Sequence, residues 1–305
     1  MYNDNYCGYK ITVTIVKLYT DFKFLDFMNK NLEEFLVNFY LDHPNLRNFM
    51  LRLRDIFYPI KPEFSGWGMK VNHEPPWIHE PNSIFNKTSN KIKTNFHFGV
   101  VHSTGIDVHN VDTLLWRHWI VSYATKHAIT FSTTDEYNFV ECGVGDGLSS
   151  YYTLQEINAN QDVCDKTHLH LYDSWGPMKE DGLLKSESSS LGRYSELELD
   201  TTKKNLKEFK NIIIYHRGYI PDIFDKKPKS PSSIVYLHID LNSTPPTLDT
   251  LEYFFDKLVS GGIILFDDYG WKNHKDTKDA VDKFFKNKPG ILMPLPTAQA
   301  IFFKN

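Results

Sequence analysis

Residues 141–147 read Glu-Cys-Gly-Val-Gly-Asp-Gly, and they lie between a short apolar run and a helical pattern. The alternate glycines, beginning with Gly143 and Gly145, allow a sharp turn and a close approach by a ligand, because they have no Cβ. The helix that follows directs its first N–H groups at an anionic group. A dinucleotide-binding fingerprint needs its third glycine one position later, where Leu148 stands. The stretch therefore predicts a ligand-binding strand–turn–helix unit, and a glycine turn without a ligand is the alternative.

Strand-like and helix-like segments alternate from residue 138 to the end of the chain. Strands are expected at 138–142, 168–173, 212–216, 234–240, 262–266, 290–294 and 298–304. Helices are expected at 148–158, 195–210, 221–225, 247–259 and 275–287. The last two strands are joined by so few residues that they must be antiparallel. This order predicts an α/β fold with a seven-stranded, mostly parallel, Rossmann-like sheet, helices on both faces and an antiparallel terminal hairpin.

The N-terminal third of the chain differs in composition. Two amphipathic helical patterns, at 21–40 and 45–58, precede a stretch at 59–95 that is rich in Pro, Trp and Asn. We expect residues 1–110 to form a mainly helical extension that caps the α/β domain on its acceptor side. Residues 111–305 are expected to form the α/β domain itself.

Two further segments have a predicted place in this layout. A helix at 111–130 is expected to lead into the α/β domain. The two tryptophans of its Trp-Arg-His-Trp stretch at 116–119 are expected to pack rather than to act in a site. The segment 174–194 is rich in Ser, Gly and Glu, which favours a lid over the carboxyl edge of the sheet.

Composition favours a globular protein with a small-molecule partner. The chain of 305 residues has a formal charge of -4, which gives no general attraction to nucleic acid or to anionic membranes. No apolar run approaches the roughly 20 residues of a membrane span, and the first residues lack the apolar stretch of a signal peptide. Three cysteines without metal-ligand spacing fit a reducing compartment. We therefore expect a cytoplasmic protein, and we leave homo-oligomerisation open.

An acidic residue, Asp173, ends the second predicted strand in the stretch Leu-Tyr-Asp-Ser-Trp at 171–175. A carboxylate at this place can accept hydrogen bonds from both hydroxyls of a ribose. Its separation from the glycine turn, roughly 20–30 residues, is that of a nucleoside-binding β-α-β unit. Together with an anion site at the helix N-terminus, this indicates S-adenosylmethionine, whose methionine carboxylate would meet that helix. The alternative is an ordinary loop aspartate.

Three carboxylates follow two predicted strands that should be neighbours. Asp240 ends the fourth strand, and Asp267 and Asp268 end the fifth. Adjacent strands lie about 5 Å apart, so these side chains are expected to converge at one edge of the sheet. Carboxylates so close repel each other unless a cation or a shared proton compensates, and oxygen ligands suit Mg²⁺. The trio therefore predicts a divalent cation; in the alternative, one aspartate caps a helix, one contacts the cofactor and no metal binds.

Five segments between residues 140 and 270 form a distinctive set. They read Val-Glu-Cys-Gly-Val at 140–144, Tyr-Asp-Ser-Trp at 172–175, Arg-Gly-Tyr-Ile-Pro-Asp at 217–222, Leu-His-Ile-Asp at 237–240 and Gly-Gly-Ile-Ile-Leu-Phe-Asp-Asp-Tyr-Gly at 261–270. This set resembles the macrocin O-methyltransferase family, whose members methylate sugar hydroxyls of glycosylated natural products.

The resemblance implies a class I methyltransferase fold with S-adenosyl-L-methionine as cofactor. It also implies Mg²⁺, or another divalent cation, held by Asp240, Asp267 and Asp268. The residues expected to hold the cofactor are Glu141, Gly143, Gly145, Asp146, Ser149, Asp173, Ser174, Trp175, Arg217, Gly218, Tyr219 and Asp240.

The chain departs from the family at one position. The family commonly continues Asp-Gly-Asp-x-Tyr after the fourth strand, whereas Asn242 stands here in place of the second aspartate, the general base of relatives. An amide has no usable basic site near neutral pH. We predict His274 as the proton acceptor, because the partial positive charge of a helix N-terminus keeps its ring neutral. His238 and a metal-bound hydroxide are the alternatives, and Asp240 is expected to share in catalysis.

Three functions are compatible with these residues. The leading one is methylation of a hydroxyl on a sugar or glycosylated small molecule, with Mg²⁺ lowering the pKa of the hydroxyl. The second is methylation of a phenol or catechol, which the same carboxylates would support. The third is a catalytically silent S-adenosylmethionine-binding partner protein, which the change at Asn242 keeps open.

Overall fold

A seven-stranded sheet forms the centre of the computed structural model, which describes residues 75–305. Its strands are β1 Tyr137–Cys142, β2 Thr167–Asp173, β3 Ile213–Arg217, β4 Ile234–Ile239, β5 Leu258–Phe266, β6 Ile291–Pro294 and β7 Ala300–Phe303. Their spatial order is β3-β2-β1-β4-β5-β7-β6. The first five strands of this order are parallel, and β7 runs antiparallel to both β5 and β6. The predicted fold class is therefore confirmed, whereas the helices expected at 21–40 and 45–58 lie outside the described residues.

Helices cover both faces of the sheet. They are α1 Ile84–Asn95, α2 Val101–Thr104, α3 Leu115–Phe131, α4 Leu148–Asn158, α5 Gln161–Cys164, α6 Leu199–Asn205, α7 Thr244–Phe254 and α8 Lys275–Phe285. Successive side chains of β1 point to opposite faces. Phe139 accordingly packs in the cluster under α3 and α4, and Val140 packs in the cluster under α7 and α8.

Some helix bounds differ from the sequence prediction. The helix expected at 195–210 is shorter in the structure, where a 3₁₀ turn at Lys207–Phe209 follows α6. Helix α7 begins three residues earlier than expected, because Pro245 and Pro246 fit the first helical turn, where no backbone N–H partner is needed. The short helix expected at 221–225 is a 3₁₀ turn, Asp222–Asp225.

The described end of the N-terminal extension shares the core of the α/β domain. Phe85 of α1 stacks on Tyr152 of α4 with 5.3 Å between the ring centroids, and the Ser89 and Tyr152 hydroxyls are 2.9 Å apart. Trp77 and Ile92 belong to the same buried cluster. The predicted boundary at residue 110 remains a prediction. Within residues 75–305, every helix is too short or too polar to cross a membrane.

The end of β1 approaches the end of β4 more closely than side chains would allow. Gly143 has a φ of 85°, and a Cβ added there would overlap the backbone carbonyl of Asp240. The N–H of Asp240 donates to the Cys142 carbonyl at 2.8 Å, so the two strands stay paired to their last residues. Glycine at 143 is therefore required both by the backbone angle and by the space.

We predict that Gly143→Ala destabilises the protein more than Gly105→Ala. Gly105 has a similar φ of 69°, but an added Cβ there meets nothing within 4 Å. The Gly105→Ala control should lower the free energy of unfolding by about 1–2 kcal/mol, because a residue with a side chain adopts a left-handed backbone at that cost. Gly143→Ala should lower the free energy of unfolding by about 1–3 kcal/mol more than the control does, because the backbone of β4 must also shift. Urea unfolding of both variants measures the difference, and equal losses would contradict the close approach of the two strands.

Candidate active site

A cavity of about 450 Å³ opens at the carboxyl ends of the parallel strands. One wall carries the glycine turn after β1 and Asp173 at the end of β2, and the adjoining wall carries Asp240 and Asp268. Residues of the predicted lid, among them Tyr194, and residues around α2 also line the cavity. Ligands of open α/β sheets bind at this edge, where the strand order reverses between neighbours such as β1 and β4.

Asp173 organises the glycine turn. One carboxylate oxygen accepts the backbone N–H groups of Val144 at 2.7 Å and Gly145 at 3.0 Å. The other oxygen accepts the N–H of Trp175 at 2.6 Å. Burial raises the pKa of Asp173, and these hydrogen bonds oppose that rise. The predicted ribose contact remains a prediction; what the structure adds is that this carboxylate shapes the turn.

The cavity wall offers room for a ligand beside this turn. A Cβ added to Gly145 would meet nothing within 4 Å, so its backbone faces open space. Leu148 and Ser149 in the first turn of α4 also line the cavity. The N-terminus of α4 therefore faces the cavity, as the sequence predicted for an anionic group.

Glu141 and His238 lie beneath the wall rather than on it. The hydroxyls of Ser149 and Ser150 both donate to the buried Glu141 carboxylate. His238 is 1% exposed, with Nδ1 3.2 Å from Glu141 Oε1 and Nε2 3.7 Å from Asp267 Oδ1. These residues form a buried polar row that supports the wall from behind.

The remaining predicted cofactor residues separate into two groups. Asp146, Ser174, Gly218 and Tyr219 line the cavity, whereas Trp175 is buried outside it and Arg217 is exposed. Asp146 accepts the N–H groups of Gly99 at 2.7 Å and Val100 at 3.1 Å, which ties the segment before α2 to the turn. The predicted lid is also tied down: Glu187 accepts the N–H and the hydroxyl of Thr244, at the start of α7.

Arg117 joins two of the three predicted carboxylates. Its guanidinium Nη2 donates to Asp240 Oδ2 at 2.7 Å and forms an ion pair with Asp267. Gln299 donates to Asp267 Oδ1 at 2.6 Å and so holds that carboxylate from the other side. Arg117 is thus a residue of the site that sequence reasoning did not single out. The signal in the sequence was a basic residue between tryptophans on the helix that leads into the α/β domain.

Asn242 joins the two carboxylates that face the cavity. Its backbone N–H donates to Asp268 Oδ2 at 2.7 Å, and its amide donates to Asp240 Oδ1 at 3.3 Å. The hydroxyl of Tyr194 donates to Asn242 Oδ1 at 3.1 Å. Asn242 has a φ of 56°, a left-handed conformation that asparagine tolerates better than most residues. Burial and the nearby Asp240 raise the pKa of Asp268.

His274 ends the 3₁₀ turn Lys272–His274, directly before α8. It does not line the cavity, but it lies close enough to Asp268 to lower the pKa of that carboxyl against the effect of burial. Asp268 therefore lines the cavity, whereas His274 lies outside its lining. The predicted role of His274 as proton acceptor remains a prediction.

The three carboxylates do converge, but their arrangement does not fit a divalent cation. Arg117 takes the space between Asp240 and Asp267, and Asp267 is otherwise turned toward His238 and Gln299. In the part of the chain from residue 75 onward, the structure contains no group of three or more His, Cys, Asp or Glu side chains able to hold a metal ion.

Comparison with known proteins agrees with this geometry. Residues 140–269 match the model of a protein family described as a methyltransferase domain. The solved structure of the O-methyltransferase NovP has 20% identity and a TM-score of 0.52, over 63% of this chain and 80% of NovP. CalS11, a calicheamicin methyltransferase, has 15% identity and a TM-score of 0.52, over 79% of this chain and 98% of CalS11. No curated protein matches the sequence. The described part of the chain thus has the class I, Rossmann-like fold of these methyltransferases, and residues 140–269 are similar to a methyltransferase domain.

Proposed function

We propose that this protein transfers the methyl group of S-adenosylmethionine to a hydroxyl of a sugar or a glycosylated small molecule. The observation that carries the proposal is the single cavity shared by the glycine turn and the carboxylates Asp240 and Asp268. Its volume, about 450 Å³, falls within the range of small-molecule pockets. The cofactor supplies an electrophilic methyl group on a sulfonium when it is bound.

Different residues of the cavity are suited to the cofactor and to the acceptor. The open space beside Gly145 and the N-terminus of α4 are suited to the carboxylate of the cofactor, because the first turn of α4 lines the cavity and a helix N-terminus attracts anionic groups. Asp240 and Asp268 are suited to the acceptor, because carboxylates accept hydrogen bonds from hydroxyl groups. Trp271 lies on the same wall, and the face of an indole ring suits the apolar face of a sugar.

The sugar acceptor is supported by the family resemblance of the motifs and by the similarity to NovP, which is named an O-methyltransferase. A phenol or catechol is the alternative acceptor for the same carboxylates. A divalent cation is not part of this proposal, because Arg117 already pairs with Asp240 and Asp267. A catalytically silent binding protein would retain the cofactor cavity but would transfer no methyl group.

We expect S-adenosylmethionine and S-adenosylhomocysteine to bind, and Asp173→Ala to weaken that binding. Loss of the carboxylate frees the N–H groups of Val144 and Gly145, so the turn loses its shape. We expect the variant to lose about 1.5–3 kcal/mol of cofactor-binding free energy, which is the value of one hydrogen bond to a charged group. Titration calorimetry measures both affinities.

The control is Asp165→Ala, which removes an exposed carboxylate outside the lining of the cavity. It should bind the cofactor as the wild type does. A wild-type protein that binds neither compound would end the proposal. A wild type that binds them but methylates no sugar, glycoside, phenol or catechol would identify the silent binding protein instead.

The proton of the acceptor hydroxyl needs a basic group at the wall. We propose that Asp268 contacts this hydroxyl, since it lines the cavity, and that His274, at the end of the 3₁₀ turn that follows Asp268, assists it. Asn242 holds Asp268 in place through its backbone N–H. General-base assistance is typically worth about 10²–10⁴ in rate.

We predict that Asp268→Asn lowers turnover by about 10²-fold or more, the lower end of the range for general-base assistance. His274→Ala should lower it by at least about tenfold if it shares in the same assistance. Both are measured as S-adenosylhomocysteine formed at saturating cofactor and acceptor, with Asp165→Asn as control. A His274→Ala protein of nearly wild-type turnover would remove His274 from the reaction and leave Asp268 as the acceptor.

A further inference from the structure

The carboxylates at the sheet edge are already compensated by a side chain of the chain itself. Arg117, in the first turn of α3, reaches Asp240 and Asp267 with the same guanidinium nitrogen. The Asp267 side chain is fully buried, and the side chains of Arg117 and Asp240 are only 27% and 22% exposed. An arginine guanidinium keeps its positive charge in proteins, so it relieves the repulsion between the two carboxylates.

A guanidinium and a divalent cation exclude each other at these oxygens. The guanidinium already occupies Oδ2 of Asp240 and Oδ2 of Asp267, which a metal ion held by these two carboxylates would also need. Two positive charges at contact distance repel strongly in a half-buried site. Metal binding would therefore require Arg117 to leave, and the buried Asp267 would exchange its partner. Gln299 holds the other oxygen of Asp267 and its amide also approaches the Arg117 carbonyl at 3.5 Å, so the pair is fixed on both sides.

Asn242 completes the same arrangement. Its backbone N–H donates to one oxygen of Asp268, and its side-chain amide donates to one oxygen of Asp240. An ionised aspartate at this position would keep the backbone contact but could not donate to Asp240. An aspartate at 242 would add a fourth negative charge beside three carboxylates that have one guanidinium. A neutral donor at 242 and a single cation at 117 are thus consistent with each other.

We infer that Arg117 supplies, as a fixed side chain, the positive charge that a divalent cation would otherwise bring to this site. The site consequently works without a divalent metal ion, and Arg117 acts as a positioning residue that sets Asp240 for the acceptor. The catalytic part of this inference rests on the proposed function; the exclusion of metal ions by Arg117 does not.

Manganese binding tests the inference without any turnover. Mn²⁺ is titrated into the full-length protein, with and without S-adenosylhomocysteine, and bound ion is measured by electron paramagnetic resonance. We expect no specific site in the wild type and one site per chain in Arg117→Ala, whose carboxylates are released. The matched control is Lys126→Ala, which removes another cation of α3 from its single buried partner, Glu156, and should gain no site.

Either of two results would overturn the inference. One is a stoichiometric Mn²⁺ site in the wild type, a result that needs no variant to fold. The other is an Arg117→Ala protein that unfolds as cooperatively as the wild type but gains no Mn²⁺ site.

Turnover supplies the second arm of the test. Wild-type methyl transfer should persist after exhaustive chelation, whereas loss of activity that Mg²⁺ restores would overturn the inference. Arg117→Ala should lose about 10²-fold or more, as when one preorganised donor is removed from an active site, and Arg117→Lys should recover part of this loss without metal. If the wild type transfers no methyl group at all, the proposed function fails, and the manganese titration still decides the role of Arg117.

Discussion

The close approach of the β1 and β4 backbones is the constraint on which the site depends. Gly143 leaves β1 in a left-handed conformation directly against the Asp240 carbonyl, and only a residue without a side chain fits there. The strands therefore remain paired to their ends, and the glycine turn and Asp240 come to the same edge of the sheet. The cavity forms along this edge, with the proposed cofactor turn on one side and the acceptor carboxylates on the other.

The negative charges at this edge are compensated by a residue from a distant part of the chain. Arg117 precedes the sheet, yet it pairs with Asp240, 123 residues later, because α3 packs across the sheet and its first turn ends at the carboxyl edge. A buried charge is tolerated only when it is paired, and truncation of one partner leaves the other uncompensated. The ion pair thus links the position of α3 to the geometry of the site.

Polar contacts hold the segment before α2 and the predicted lid, residues 174–194, against the cavity. Asp146 ties the residues before α2 to the glycine turn, and Glu187 ties the predicted lid to the start of α7. Tyr194 reaches Asn242 from a backbone φ of 65°, which is unusual for a tyrosine. Backbone strain of this kind collects at functional sites, where surrounding contacts compensate for its cost. Through Tyr194 and Asn242, the predicted lid is connected to the carboxylates that are proposed to act on the acceptor.

The sequence by itself determined the order of strands and helices, the glycine turn that lines the cavity and the ends of the strands that carry Asp173, Asp240 and Asp268. These features follow from local rules: hydrophobic periodicity, the freedom of glycine, and the convergence of parallel strand ends. The start of α7 was missed because two prolines, which often break a helix, here occupy its first turn. Only the tertiary structure decided that Arg117 rather than solvent faces the carboxylates, that Asp173 bonds to the turn, and that Glu141 lies behind the wall. Each of these depends on which distant side chain satisfies a buried charge, and no local pattern in a sequence encodes that pairing.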